Sequence, residues 1–125
     1  VVVNYNSDRN GAEAVADSVN AAGARSLIVQ ADVADPDAII AMFDQIDQEF
    51  GRLDALINNA GIVGQTARVT DLTHDRLRRM FDVNVIGAIL VAKAAVQRME
   101  KAGCGVIINI SSVAARLGSA NLYVD

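Results

Sequence analysis

The sequence predicts an α/β domain built on a parallel sheet, from three observations. Short apolar runs alternate with longer stretches whose apolar residues recur at helical spacing, in the order strand, helix, strand, helix, strand, helix, strand. The strand-like runs are apolar throughout, as strands covered on both faces are. Of 125 residues, 52% are hydrophobic and only 4% aromatic, so Ala, Val, Ile and Leu must make the core, as in tightly packed helix-on-sheet layers. The length suits one domain, and no repeat, low-complexity tract or linker divides it.

In order along the chain, Val1-Val2-Val3 is a buried-strand run with no turn before it, which leads to the expectation that a segment precedes it. It ends at Asn4-Tyr5-Asn6-Ser7. Residues 10–22 read as a helix, with Val15 and Val19 one turn apart, Ala12, Ala16 and Ala22 close to the same face, and Gly23 closing it. Residues 26–31 form the second strand and end at Asp32-Val33. Asp35-Pro36 starts a helix as a capping carboxylate followed by a first-turn proline. Ile39, Ile40, Phe43, Ile46 and Phe50 make its apolar stripe, and Gly51 ends it. Residues 54–57 are the third strand and 62–71 a polar loop. Thr73 caps a long helix to about residue 102. Its middle, Val85 through Ala92, is apolar all round and must be covered on every side, by the sheet and another layer or by a second subunit. Residues 106–110 are the fourth strand, ending in Ser111-Ser112, and 116–125 are irregular.

A net charge of −4 disfavours a phosphate-tracking surface, so nucleic acid is not an expected partner. The single cysteine, Cys104, excludes a disulfide within the chain and reads as a packing residue. The single histidine, His74, sits at a helix start with no spaced metal partner. Asn84 and Lys93 interrupt the longest apolar stretch, which argues against a membrane span, and the expected location is the cytoplasm.

The third strand carries the strongest signal. Leu53-Asp54-Ala55-Leu56-Ile57 runs into Asn58-Asn59-Ala60-Gly61. Amides followed by residues with almost no side chain suit the carboxyl edge of a parallel sheet, where a ligand approaches the backbone. Alone, the same letters also fit a polar strand end that turns at Gly61. All four strand ends are polar or small, however: residues 4–7, Asp32-Val33, Asn58 to Gly61 and Ser111-Ser112. Four together suggest one continuous ligand groove.

Asn-Asn-Ala-Gly after an apolar strand, Asp-Val after the strand before it, Asp-Val-Asn-Val-Ile-Gly around Asn84, and Ile-Asn-Ile-Ser-Ser at 108–112 occur in this order. The set, spanning essentially the whole chain, resembles the classical short-chain dehydrogenase/reductase family. The resemblance implies a Rossmann-type three-layer αβα domain, incomplete here, holding strands 2 to 5 of the family fold. It implies that Asp32 meets the adenine amino group with the Val33 backbone beside it. Asn59, Ala60 and Gly61 would lie against the adenosine ribose and the middle of the cofactor. The Asn84 backbone carbonyl would hold a water of a proton relay, and Ser112 would bond the substrate oxygen. A buried Asn in an apolar helix is costly unless hydrogen-bonded, which fits such a role. The resemblance further implies hydride transfer to or from a carbonyl or secondary alcohol, and dimers or tetramers paired through the helix of residues 73–102.

The first strand end bears on the cofactor. NAD enzymes of this kind commonly place a carboxylate there, which would repel a 2′-phosphate. Asn4, Tyr5, Asn6 and Ser7 stand there instead, with Arg9 close by, so NADP(H) is expected ahead of NAD(H); Asp8 is the contrary feature. The family's glycine-rich turn is expected before residue 1, and its catalytic Tyr and Lys beyond residue 125. Tyr123 lies eleven residues after Ser112 and is not assigned that role. In the family's strand order the missing first strand is central, so the four strands should form two pairs with a gap, and the isolated chain should fold poorly and show no turnover. The competing readings are a non-catalytic dinucleotide-binding protein on the same fold and a flavodoxin-like module.

Overall fold

Two parallel strand pairs carry the fold. The computed structural model describes residues 1–113. The chain runs β1 (Val2–Tyr5), α1 (Arg9–Ala21), β2 (Leu27–Gln30), α2 (Pro36–Phe50), β3 (Ala55–Asn58), a short 3₁₀ turn (Val69–Asp71), α3 (His74–Phe81), a π-helical segment (Asp82–Gly87), α4 (Ala88–Ala102) and β4 (Val106–Asn109). β1 pairs with β2 from Val2↔Leu27 to Tyr5↔Gln30, and β3 with β4 from Ala55↔Val106 to Asn58↔Asn109. The pairs are separate two-stranded sheets, as the family's strand order implied.

The helix ends follow local chemistry. Asp35 accepts hydrogen bonds from the Asp37 and Ala38 N–H groups at 2.9 and 3.4 Å, and Gly51 closes α2 at φ 67°, a left-handed conformation that disfavours other residues. α1 begins earlier than its apolar spacing suggests, because Asp8 caps it through the Gly11 N–H at 2.9 Å. Its buried face is Ala12 and Ala16; Val15 points outward. The two alanines let α1 lie close to β1 and β2.

The core lies between the strands and the layer of α2 and α4: Val29, Ile39, Phe43, Ile46, Val91 and the fully buried Ala95. At the edge away from the strands' carboxyl ends, Arg98 of α4 ties this layer together. Its guanidinium holds Asp47 of α2, with a shortest distance of 2.6 Å, and lies over the Phe43 ring. Residues 74–102 form one helical run that by length and composition alone could cross a membrane, so Asn84 and Lys93 do not exclude that as expected. Its packing is that of a sheet-covering helix, with Val91, Ala95 and Met99 buried. The long helix is also not uniform, because its middle turn widens into the π segment. Cys104 is exposed after the left-handed Gly103, not packed, because the turn out of α4 carries it away from the core.

Candidate functional site

A parallel ladder brings the carboxyl ends of paired strands to one edge. Tyr5 lies opposite Gln30, and Asn58 opposite Asn109. The ladders end where the Ala31 N–H donates to the Tyr5 carbonyl and the Ile110 N–H to the Asn58 carbonyl. Asp32, Asn59 and Ser112 follow within two residues of those ends.

Residues 79–88 join the two edges into a common rim, although the sheets share no strand. Arg79, at the end of α3, donates to Asp32 Oδ2 at 2.8 Å. Gly87 sits against the Val33 carbonyl, where an added Cβ would fall 2.5 Å from the oxygen; only a glycine permits that approach. Asn84 grips the backbone of Ile62 from both sides, its Oδ1 accepting from the N–H at 2.8 Å and its Nδ2 donating to the C=O at 2.9 Å. Asn58 donates to the Ala88 carbonyl at 2.9 Å. The tips of β2 and β3 are thus tied to a single stretch of helix.

This explains the polar interruption of an apolar helix. The Asn84 side chain satisfies a loop peptide that would otherwise be left part-buried without partners. It also closes the space beside Gly61, where a Cβ would stand 3.4 Å from Asn84 Oδ1. Asn59, Ala60 and Gly61 themselves are exposed, an open strip of small residues on a braced loop.

Asp32 is held at both oxygens: Oδ1 accepts from the Ala34 N–H at 2.9 Å, and Oδ2 from Arg79. Burial pushes its carboxyl up, but the Ala34 N–H and the Arg79 guanidinium outweigh that and hold it below its ordinary value. It stays an anion with acceptor capacity left on each oxygen. Val33 is buried, and its carbonyl lies close against Gly87.

The β1 tip differs from expectation. Asn4 lies inside the strand, paired with Val29, because the ladder continues to Tyr5; Asn4 is not a tip residue. Asn6 and Ser7 are exposed beyond it, and Gln30 holds the Asn6 carbonyl at 3.0 Å. Asp8 is engaged as the α1 cap, and the Arg9 Nε donates to Glu13 at 2.8 Å. Asn58 likewise belongs to its strand, and its amide bonds Ala88 and Asn109. Ser112 is exposed, three residues past Asn109, the last paired residue of β4. Tyr123 lies outside the described residues, as do residues 116–125.

Sequence reasoning missed Arg79, Gly87 and Gln30, and it placed Asn58 at the strand end without its bond to Ala88. Gly87 had a local signal, since glycine inside a helix marks close approach. Arg79 had none, because its partner is 47 residues away.

The rim thus carries small residues beside exposed backbone, a carboxylate fixed at both oxygens, and hydroxyl and amide groups at the β1 tip. The family model described as short chain dehydrogenase matches residues 1–124. The "Uncharacterized oxidoreductase YgfF" of Escherichia coli (strain K12) is 42% identical over 128 residues, covering 100% of this chain and 52% of that protein. A short-chain type dehydrogenase/reductase from Mycobacterium marinum superposes with a TM-score of 0.90 at 31% identity, over 99% of this chain and 50% of the other. A short chain dehydrogenase from Burkholderia cenocepacia J2315, solved in complex with NADP, does so with a TM-score of 0.85 at 32% identity, over 96% and 48%. The chain spans about half the length of these relatives. With the strand pairs, their polar tips and the helix that joins them, this makes the chain a member of the short-chain dehydrogenase family.

Proposed function

We propose that the full-length protein is an oxidoreductase that moves a hydride between NADP(H) and a carbonyl or secondary alcohol. The observation that carries this reading is the shared rim, with the loops after β2 and β3 locked onto residues 79–88. When bound, the nicotinamide supplies the hydride chemistry. The chain's own part is to bind and orient. Asp32 accepts from the adenine amino group, the Val33 backbone lies beside the base, and the strip Asn59-Ala60-Gly61 takes the ribose and the middle of the cofactor. Ser112, on the adjoining tip, donates to the substrate oxygen. The Asn84 carbonyl holds a relay water, while its side chain keeps the neighbouring loop in place.

For the cofactor, Tyr5, Asn6 and Ser7 are the residues proposed to meet the 2′-phosphate, with Asn4 behind them in the strand. The carboxylate nearest to them, Asp8, is turned into the α1 cap, which supports NADP(H) over NAD(H). The NADP in the Burkholderia structure points the same way. Leu77, Phe81, Val85 and Ile89 leave an exposed apolar stripe on the long helix, which supports pairing of two copies there.

The test is titration of the full-length protein with NADPH and NADH, followed by a panel of carbonyl compounds for the protein and its Ser112→Ala variant. The expected result is tighter NADPH binding and turnover that falls at least about a hundredfold in the variant. Binding without turnover of any compound would favour a non-catalytic dinucleotide-binding protein.

A further inference from the structure

The ion pair between Arg79 and Asp32 carries a consequence for nucleotide recognition. Three features set it apart from an ordinary surface pair. It joins a helix end to a strand tip 47 residues away. The carboxylate it holds is already anchored by the Ala34 N–H, so the two oxygens are fixed by donors from different elements. And the Asp32 side chain remains about one-third exposed, at 32%, on the rim itself. A carboxylate gripped at one oxygen can still swing about its Cβ–Cγ bond; gripped at both, it presents its remaining lone pairs in set directions. Gly87 packs against Val33 one residue on, so the loop carrying Asp32 has no slack in either direction.

We infer that Arg79 is a positioning residue for the base end of the nucleotide: by holding Asp32 Oδ2 it aims the carboxylate at the exocyclic amino group of adenine. The inference rests on the proposed role of Asp32. Arg79 touches no part of the ligand and acts through Asp32 alone. A guanidinium suits the task, since the pair leaves the carboxylate charged while fixing its plane.

A staple that only joins helix to loop predicts something different. Loosening it would weaken every nucleotide equally, whereas an aiming role matters only to a nucleotide bearing an amino group for Asp32 to accept from. The experiment is equilibrium titration of the full-length protein, followed by nicotinamide fluorescence, with NADPH and with its deamino analogue, which has hypoxanthine in place of adenine. Wild type, Arg79→Met, Arg79→Lys and Asp32→Asn are compared, with thermal melts alongside. In Arg79→Met the Kd for NADPH is expected to rise about tenfold, the low end of what a hydrogen bond to a charged group contributes, and that for the deamino analogue less than about twofold. Arg79→Lys, which restores the charge without the planar guanidinium fork, should recover part of the selectivity. Arg79→Met combined with Asp32→Asn should be no weaker than Asp32→Asn alone.

Equal weakening of both nucleotides, or none, overturns the inference, as does full additivity of the two substitutions. If Arg79→Met does not fold, Arg79→Lys carries the same comparison, and loss confined to NADPH again supports the assignment. A wild-type protein that binds neither nucleotide overturns the parent reading. One that binds both equally leaves that reading standing and removes Asp32, and Arg79 with it, from base recognition.

Discussion

The two ends of the rim are held in different ways. At the β3 tip the hydrogen bonds that tie it to residues 84–88 are part-buried and join distant residues: Asn84 with Ile62, 22 residues apart, and Asn58 with Ala88, 30 apart. At the β1 tip they are exposed: Gln30 to Asn6, and Asp8 to Gly11. Water replaces an exposed bond when it breaks but cannot easily reach a part-buried one. The β3 end is therefore a fixed platform and the β1 end an adaptable one. That division suits a site in which the reacting groups need held geometry while cofactor choice turns on a few side chains.

Asn84→Ala strikes the platform hardest. It strips both partners from the Ile62 peptide, and the full-length protein should lose about 2–3 kcal/mol in urea unfolding. The matching change at the other end, Gln30→Ala, should stay within about 0.5 kcal/mol. Similar losses from both would erase the distinction.

Gly87→Ala tests the same platform by steric means. The new methyl would press on the Val33 backbone, which cannot rotate away as a side chain could. A loss of about 2 kcal/mol is expected, with weaker nucleotide binding. A fully stable variant with wild-type binding would mean that the close approach is not needed.

Tyr5→Asp tests the adaptable end. A carboxylate there should turn the NADPH/NADH ratio of kcat/KM toward NADH by about tenfold or more while leaving the melting temperature nearly unchanged, since a repelled 2′-phosphate is a local electrostatic matter. An unchanged ratio would show that the ribose lies elsewhere.

Acid gives the smallest effect. The Asp32 carboxyl titrates below its ordinary value of 3.8 in the folded protein. Its contribution to stability is thus complete above that value and is lost as pH falls through the lower folded value. Both side chains of the pair are partly exposed, so solvent screening limits its contribution to about 1 kcal/mol or less. Arg79→Met should make stability depend less on pH as the pH falls below the ordinary carboxyl value of 3.8, as chemical unfolding at fixed pH values would register. An unaltered slope would mean that Arg79 does not set the protonation of Asp32.

Much of this architecture was legible in the residues. The Asp35-Pro36 start and Gly51 stop of α2, the apolar runs and the polar tips are local signals, and each found its element. The misreadings came from the ends of elements. Asn4 looks like a tip because its side chain is polar, but the ladder follows backbone pairing and continues one residue further, to Tyr5 opposite Gln30; Asn58 is the last paired residue of its ladder rather than the first beyond it. Val15 looked like a core residue because it is large, yet the neighbouring alanines face β1 and β2, where a close approach favours small side chains. The long helix read as uniform because nothing local announces a widened turn.

By itself the sequence determined the fold class, the family, and the order in which polar tips follow buried strands, since these depend on spacing and residue type along the chain. Only the tertiary structure decided which groups hold those tips. Arg79 on Asp32, Asn84 around Ile62 and Gly87 under Val33 are contacts between elements. The direction of a side chain toward a distant partner depends on how helices settle on strands, which no short window of sequence encodes.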